Sequence, residues 1–334
     1  MHEIRRDPIL GRWVIIASER SNRPTDFTIN REQPAGGVCP FCYGCEAHTP
    51  PEVLAFRDAG RPPNSPGWKV RVVPNKYPAL RIEGDLGRRA VGIYDTMKAI
   101  GAHEVVIESP EHRAQLADLP PEQVTLVLDA YLQRMLDLKR DPRFRYILVF
   151  KNQGADAGAT LEHAHTQIIA TPVVPKRVSE EIDGCRRHFH LHERCVFCDI
   201  LHQELELETR LVATNESFVA LAPFASRFPY ETWILPRRHA FRFEDIRRDD
   251  LQLLSALLRS TLRRLDRVLD RPPFNYVLHT SPCDGEDVAE VFHWHLEIMP
   301  KLTKVAGFEW GSDFYINPTP PELAAEMLRG VQAG

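Results

Sequence analysis

The chain carries one run of landmarks twice, and a sequence that does so has to build the same folding unit twice. A C-x-x-C pair comes first, then a lone histidine after a strand-like segment, then an amphipathic stretch, a strand and a His-x-His segment. In the first pass these are Cys39-Pro-Phe-Cys42, His112, and His163-Ala-His165-Thr-Gln167. In the second they are Cys195-Val-Phe-Cys198, His239, and His293-Trp-His295-Leu-Glu297. His112 precedes His163 by 51 residues, and His239 precedes His293 by 54. Common order with matched intervals reads as an internal duplication.

Each unit is α+β. Short β-branched or aromatic runs predict strands at Trp68 to Val73, Glu104 to Glu108, Tyr146 to Lys151 and Thr166 to Ala170. In the second half they fall at Phe218 to Ala222, Thr232 to Leu235, Asn275 to His279 and Trp294 to Met299. Apolar residues at helical spacing predict one helix from Pro121 to Leu138 and another from Asp249 to Leu265. The expected architecture is two tandem halves, 1–175 and 190–334, of mostly antiparallel sheet with packed helices. The two strand sets are expected to form one continuous sheet. Thr171 to Arg194 reads as a charged join between the halves; its His188-Phe-His190-Leu-His192 run looks like another metal-binding strand, but in a charged join the solvated-edge reading is preferred.

The net charge of −4 over 334 residues gives no basic field for nucleic acid. No apolar run is long enough to span a bilayer, and the start has no apolar signal region. The expected setting is cytoplasmic, with no nucleic-acid or membrane partner.

Four of the seven cysteines sit in the two C-x-x-C pairs. Two thiolates and two imidazoles suit a tetrahedral zinc ion. One set is Cys39, Cys42, His112 and His163; its duplicate is Cys195, Cys198, His239 and His293. Cys45 and Glu181 are further metal neighbours to consider. Residues i and i+2 of a strand share a face, so His165 and Gln167 would follow His163 in one row. A metal-bound His163 would anchor that row and leave His165 as a free, aimed nucleophile. Gln167 could donate its amide to a phosphoryl oxygen. Ahead of them lies Asn152 through Thr160, a loop whose glycines let backbone amides approach a phosphate. The second copy has Glu297 in place of Gln167 and an acidic Cys283 to Asp287 segment in place of that loop. It is expected to have lost catalysis and kept structure.

With those residues in view, the chain resembles the galactose-1-phosphate uridylyltransferase family, the transferase branch of the histidine-triad superfamily, from Arg12-Trp13-Val14-Ile15 to Gly307-Phe308-Glu309. The most specific stretch runs from Phe150 through Gln167. Family members carry His-Pro-His-Gly-Gln there; here Ala164 and Thr166 stand in the variable places. The resemblance implies a two-half histidine-triad fold and a nucleotidyl group carried on His165, with zinc on Cys39, Cys42, His112 and His163. It implies nucleotide contacts from Asn75 and Asn152 and phosphate contacts from Arg20 and Arg23; Gly158, Ala159 and Thr160, from the loop read above, are expected to line the substrate's phosphate. Lys304, Gly307, Phe308 and Glu309 resemble the hexose-binding strand that crosses a homodimer interface in the family. Some members hold a second metal on a Glu/His/His/His set matched by Glu181, His279, His293 and His295; this chain is expected to use Cys195, Cys198, His239 and His293 instead. That feature, with the ending Phe314 to Pro318, in which Asn317 is expected to contact substrate, also resembles the family's ADP-glucose phosphorylases.

The implied substrates are a nucleotide-sugar and a hexose 1-phosphate. Uridylyl transfer from UDP-glucose to galactose 1-phosphate, in galactose metabolism, is the leading expectation. Adenylyl transfer from ADP-glucose to phosphate shares the fold. A non-catalytic zinc- or nucleotide-binding module is the rival of another class. A zinc-water hydrolase is disfavoured because both ligand sets are complete.

Overall fold

A computed structural model describes residues 2–18 and 38–332. Arg20 and Arg23 lie outside the described residues. The N-terminal strands are β1 (His2–Arg6), β2 (Trp13–Ala17), β3 (Leu54–Arg57) and β4 (Trp68–Pro74). A small hairpin, β5 (Arg89–Val91) and β6 (Tyr94–Thr96), precedes β7 (Ala102–Ile107), α1 (Pro121–Leu138), β8 (Tyr146–Gln153) and β9 (His165–Thr171). Two helices follow, α2 (Lys176–His192) and α3 (Val196–Leu207). The second half runs through β10 (Leu211–Thr214), β11 (Phe218–Leu221), β12 (Thr232–Pro236), α4 (Arg248–Leu269), β13 (Phe274–His279) and β14 (His295–Pro300). It ends with α5 (Gly307–Ser312), β15 (Tyr315–Asn317) and α6 (Pro321–Gly330).

Ten strands make one sheet in the order β10-β11-β12-β14-β13-β8-β9-β7-β4-β3. The two strand sets therefore do join, through the antiparallel β8–β13 pair. Read outward from that pair, β8-β9-β7-β4-β3 mirrors β13-β14-β12-β11-β10, which is the duplication expressed as topology. Side chains alternate between the two sheet faces. On one face Val72, Val106, Val149, Ile168, Ala220 and Ile234 meet the apolar stripes of α1 and α4. Those stripes include Val124, Val127, Leu128, Tyr131 and Met135 on α1, and Leu251, Leu254, Leu258, Leu262 and Leu265 on α4. On the opposite face Val73, Val105 and Ile107 pack with Phe41 in the first half. In the second half Val219, Leu221 and Leu235 pack under residues of α2 and α3, among them Val178, Ile182 and Phe197.

The stretch expected to be a join is thus a packed helix. Within it the His188 run is helical, not a strand: His188 and His192 lie one turn apart with ring centroids 4.4 Å from each other. His188 Nε2 sits 2.8 Å from an Asp199 oxygen. Short alternating and helical patterns overlap over so few residues, and the buried Val178, Ile182 and Cys185 upstream decide for the helix. A three-stranded sheet, β1-β2-β15, ties the two chain ends together, with β15 parallel to β2. No helix among the described residues is long and apolar enough to cross a membrane.

Candidate active site and metal centres

The first C-x-x-C turn brings Cys39 and Cys42 against His112 and His163. Cys42 Sγ lies 3.3 Å from His112 Nδ1 and 3.6 Å from His163 Nδ1, and Cys39 Sγ lies 3.7 Å from His163 Nδ1. All four donor atoms fall within 4.8 Å of one another. His163 Nε2 donates to the Ser109 carbonyl at 2.7 Å, which leaves Nδ1 as a lone pair facing the sulfurs. The duplicate set repeats this: Cys198 Sγ is 3.4 Å from His239 Nδ1 and 3.7 Å from His293 Nδ1. There His239 Nε2 donates to the Ala289 carbonyl and His293 Nε2 to the Pro236 carbonyl. Soft sulfur and imidazole donors, preset by carbonyls behind them, fit a tetrahedral metal ion in both places. Cys45 belongs to neither set.

His163 precedes β9, which opens at His165, so the two imidazoles do not stand in one strand row. His163 turns to the sulfurs, and its own carbonyl accepts the His165 Nδ1 proton at 2.8 Å. A carbonyl only accepts, so Nε2 of His165 is left with its lone pair free. Burial, and after it the Lys151 ammonium, hold this imidazole below the usual histidine range, so it is neutral at pH 7. His165 is 7% exposed, with Phe41 edge-on at 5.4 Å. Beneath it lies a buried ion pair that the motifs did not reveal. Lys151 Nζ donates to both Glu108 oxygens at 2.9 Å and to the His165 carbonyl at 3.1 Å. Thr166 Oγ1 adds a 2.6 Å bond to Glu108, which pins the strand behind the imidazole.

The residues expected around a nucleotide separate into two groups. Gln167 is half-buried on β9, two residues beyond His165 and on the same face. Asn152 Oδ1 accepts from Asn275 Nδ2 at 2.8 Å at the mouth of the glycine loop. Gly154 and Gly158 hold left-handed backbone, φ 83° and 86°, and a Cβ on Gly154 would stand 2.8 Å from Pro273. Ala159 and Thr160 follow in that loop. Asn75 Oδ1 accepts the Tyr77 amide at 2.9 Å. Asn317 does not suit a substrate role. It is fully buried, its amide donates to the Ser226 and Phe228 carbonyls, and its oxygen accepts the Thr319 amide. Lys304 is exposed, and Gly307, Phe308 and Glu309 open helix α5 where a strand was expected. Glu309 Oε2 accepts the Ala306 amide at 3.0 Å and so starts that helix.

The second copy is closed. His295, the counterpart of His165, is 1% exposed, and its Nε2 lies 3.4 Å from Glu181. Glu181 also pairs with His279 at 3.0 Å, and His279 stacks on His295 at 4.6 Å. The expected choice between two second-metal sets is therefore no choice. His293 joins the cysteines, while Glu181, His279 and His295 converge separately. Glu297 is bound by Arg227 at 2.6 Å.

Residues 1–175 match the family model described as galactose-1-phosphate uridyl transferase, N-terminal domain, more than half of the chain. The chain belongs to the galactose-1-phosphate uridylyltransferase family. Residues 100–333 also match a domain described only as of unknown function. Among curated members of the family's fold, an ADP-glucose phosphorylase of Arabidopsis thaliana is 39% identical over 98% of this chain and 93% of its own length. A galactose-1-phosphate uridylyltransferase of Thermotoga maritima is 30% identical over 98% of each. The crystal structure of the Arabidopsis ADP-glucose phosphorylase with bound ADP-glucose superposes with a TM-score of 0.86, at 38% identity over 99% of both chains. A uridylyltransferase structure gives 0.75 at 29% identity, over 99% of this chain and 98% of that one.

Proposed function

We propose that this enzyme moves a nucleoside monophosphate from a nucleotide-sugar to a phosphorylated acceptor through a covalent bond to His165. The observation that carries this reading is the protonation geometry of that imidazole. Nδ1 is committed to the His163 carbonyl, so the neutral ring presents Nε2 alone. Nε2 attacks the α-phosphorus, a P–N bond forms, and the P–O bond to the hexose 1-phosphate breaks. The acceptor's phosphate oxygen then attacks the same phosphorus, and the P–N bond breaks. Gln167 donates its amide to the α-phosphoryl oxygen in both steps. Asn75, Asn152 and Gly158 to Thr160 hold the nucleotide, and Arg20 and Arg23 its phosphates. Residues 1–175 form the catalytic half and 190–334 the structural one.

Zinc is the metal that two cysteines and two histidines favour, and when bound it supplies a rigid crosslink with no open position for water. The homodimer belongs to the same reading, supported by exposed Phe308 and Trp310 on α5 beside Lys304. So does a cytoplasmic setting, supported by seven cysteines of which none is in a disulfide.

Uridylyl transfer from UDP-glucose to galactose 1-phosphate is the reaction we assign. The greater identity to the ADP-glucose phosphorylase favours, as the second reading, adenylyl transfer from ADP-glucose to phosphate. Steady-state turnover of UDP-glucose with galactose 1-phosphate, set against ADP-glucose with phosphate, separates the two. Exchange of neither sugar phosphate into its nucleotide-sugar would sink both.

A further inference from the structure

His103 has no place in the motifs, yet it touches the residue on which phosphoryl stabilisation depends. It lies on β7, where His103 pairs with Ile169 and Val105 with Gln167. His103 is thus the diagonal cross-strand neighbour of Gln167 on the face that carries His165. Its Nε2 stands 2.8 Å from Gln167 Oε1. Its Nδ1 accepts the backbone amide of Ala79 at 3.2 Å.

These two contacts fix the chemistry of both side chains. An amide N–H only donates, so Nδ1 of His103 is the bare nitrogen and the neutral ring carries its proton on Nε2. That proton is donated to Gln167, so the Gln167 atom facing His103 is the carbonyl oxygen. The Gln167 NH2 group must then point away from His103. The Asn75 amide nitrogen lies 3.1 Å from the same Nε2. Asn75 Oδ1 is already taken by Tyr77, so this contact sets two donors side by side and offers Nε2–H no acceptor. The proton has one destination, Gln167.

We propose that His103 is the positioning residue that sets the rotamer of Gln167, holding its carbonyl end so that the NH2 end is presented to the α-phosphoryl oxygen. This rests on the nucleotidyl-transfer reading above. An unconstrained glutamine amide can present either end, and its oxygen would repel the charge on the α-phosphoryl oxygens; a fixed donor avoids that loss. The second copy shows what replaces the pair. Trp233 pairs with Glu297 as Val105 pairs with Gln167, so Glu231 stands where His103 does. There Arg227 bridges Glu231 and Glu297 at 3.0 and 2.6 Å, a closed ion pair with two carboxylates and no amide to aim.

The test is a double-mutant cycle on single-turnover transfer of an α-phosphate label to the protein, using His103→Leu, Gln167→Ala and both together. The donor is whichever of UDP-glucose and ADP-glucose the wild type turns over. His103→Leu should slow labelling about 10-fold or more, less than the roughly 10²-fold expected for removing a donor outright. In the Gln167→Ala background the same change should alter the rate less than twofold, because there is no amide left to orient. An undiminished rate in His103→Leu, or an equal loss in both backgrounds, overturns the proposal, the latter assigning His103 to the fold of the Asn75–Ala79 turn instead. Wild-type protein that turns over without acquiring label refutes the covalent reading itself, and is distinct from either result.

Discussion

The position of one proton decides what His165 can do. Its Nδ1 hydrogen is held by the His163 carbonyl, and burial keeps the ring neutral, so Nε2 carries a bare lone pair at pH 7, as the proposed attack requires. Gln167→Ala should therefore slow both half-reactions by about 10²-fold while both metal contents stay unchanged; metal analysis and rapid-quench rates check this. A second buried imidazole makes the opposite adjustment. Burial alone would lower the pKa of His279, but Glu181 and Glu297 outweigh it and raise it to about 9. A raised pKa stabilises the fold fully below about 6.5 and ceases to do so as pH climbs through about 9. Urea unfolding should show wild type losing stability between those limits, on the order of a few kcal/mol, relative to His279→Gln. Parallel curves for the two proteins would contradict the pairing. Of these residues, the C-x-x-C and His-x-His members were legible from spacing alone. His103, Lys151, Glu108 and Arg227 were not, because each acts through a partner at least 30 residues away or across a strand pair whose register no local pattern encodes.

Elements were legible where their periodicity was long. The α1 stripe begins at Pro121 and ends at Leu138 as expected, since 18 residues repeat the apolar spacing several times. In α4 the stripe includes Leu258, which is 1% exposed between the sheet and α1. Leu258→Ala should cost roughly 2–5 kcal/mol by leaving a cavity, measurable as a lowered midpoint in urea with activity per folded molecule unchanged. Short elements misled. The α5 segment Gly307–Ser312 gives too few residues to separate helix from strand, and α2 carries so much charge that it reads as solvated chain until its buried side is seen. The C-x-x-C turns behave as elements too, since each closes a loop to a distant imidazole. Cys39→Ser should lower metal content and thermal midpoint together; loss of one without the other would separate the ligand role from the fold.

At the scale of the molecule, two copies of one unit share a sheet and differ in what surrounds their matched histidines. The mirror order about β8 and β13 places His165 and His295 at equivalent positions. The first lies beside a glycine loop and a neutral amide. The second is sealed against Glu181 under α2 and α3. The duplication itself was readable from the sequence, while the sealing depends on packing of α2 that spacing could not show. Only one imidazole per chain should therefore accept a nucleotidyl group. The decisive measurement is to mix the enzyme with UDP-glucose or ADP-glucose labelled in the α-phosphate, quench, and count protein-bound label before and after acid. One of these donors should give acid-labile label approaching one per chain, absent from His165→Ala. Turnover with no bound label in wild type, or label that persists in His165→Ala, would contradict the histidine mechanism.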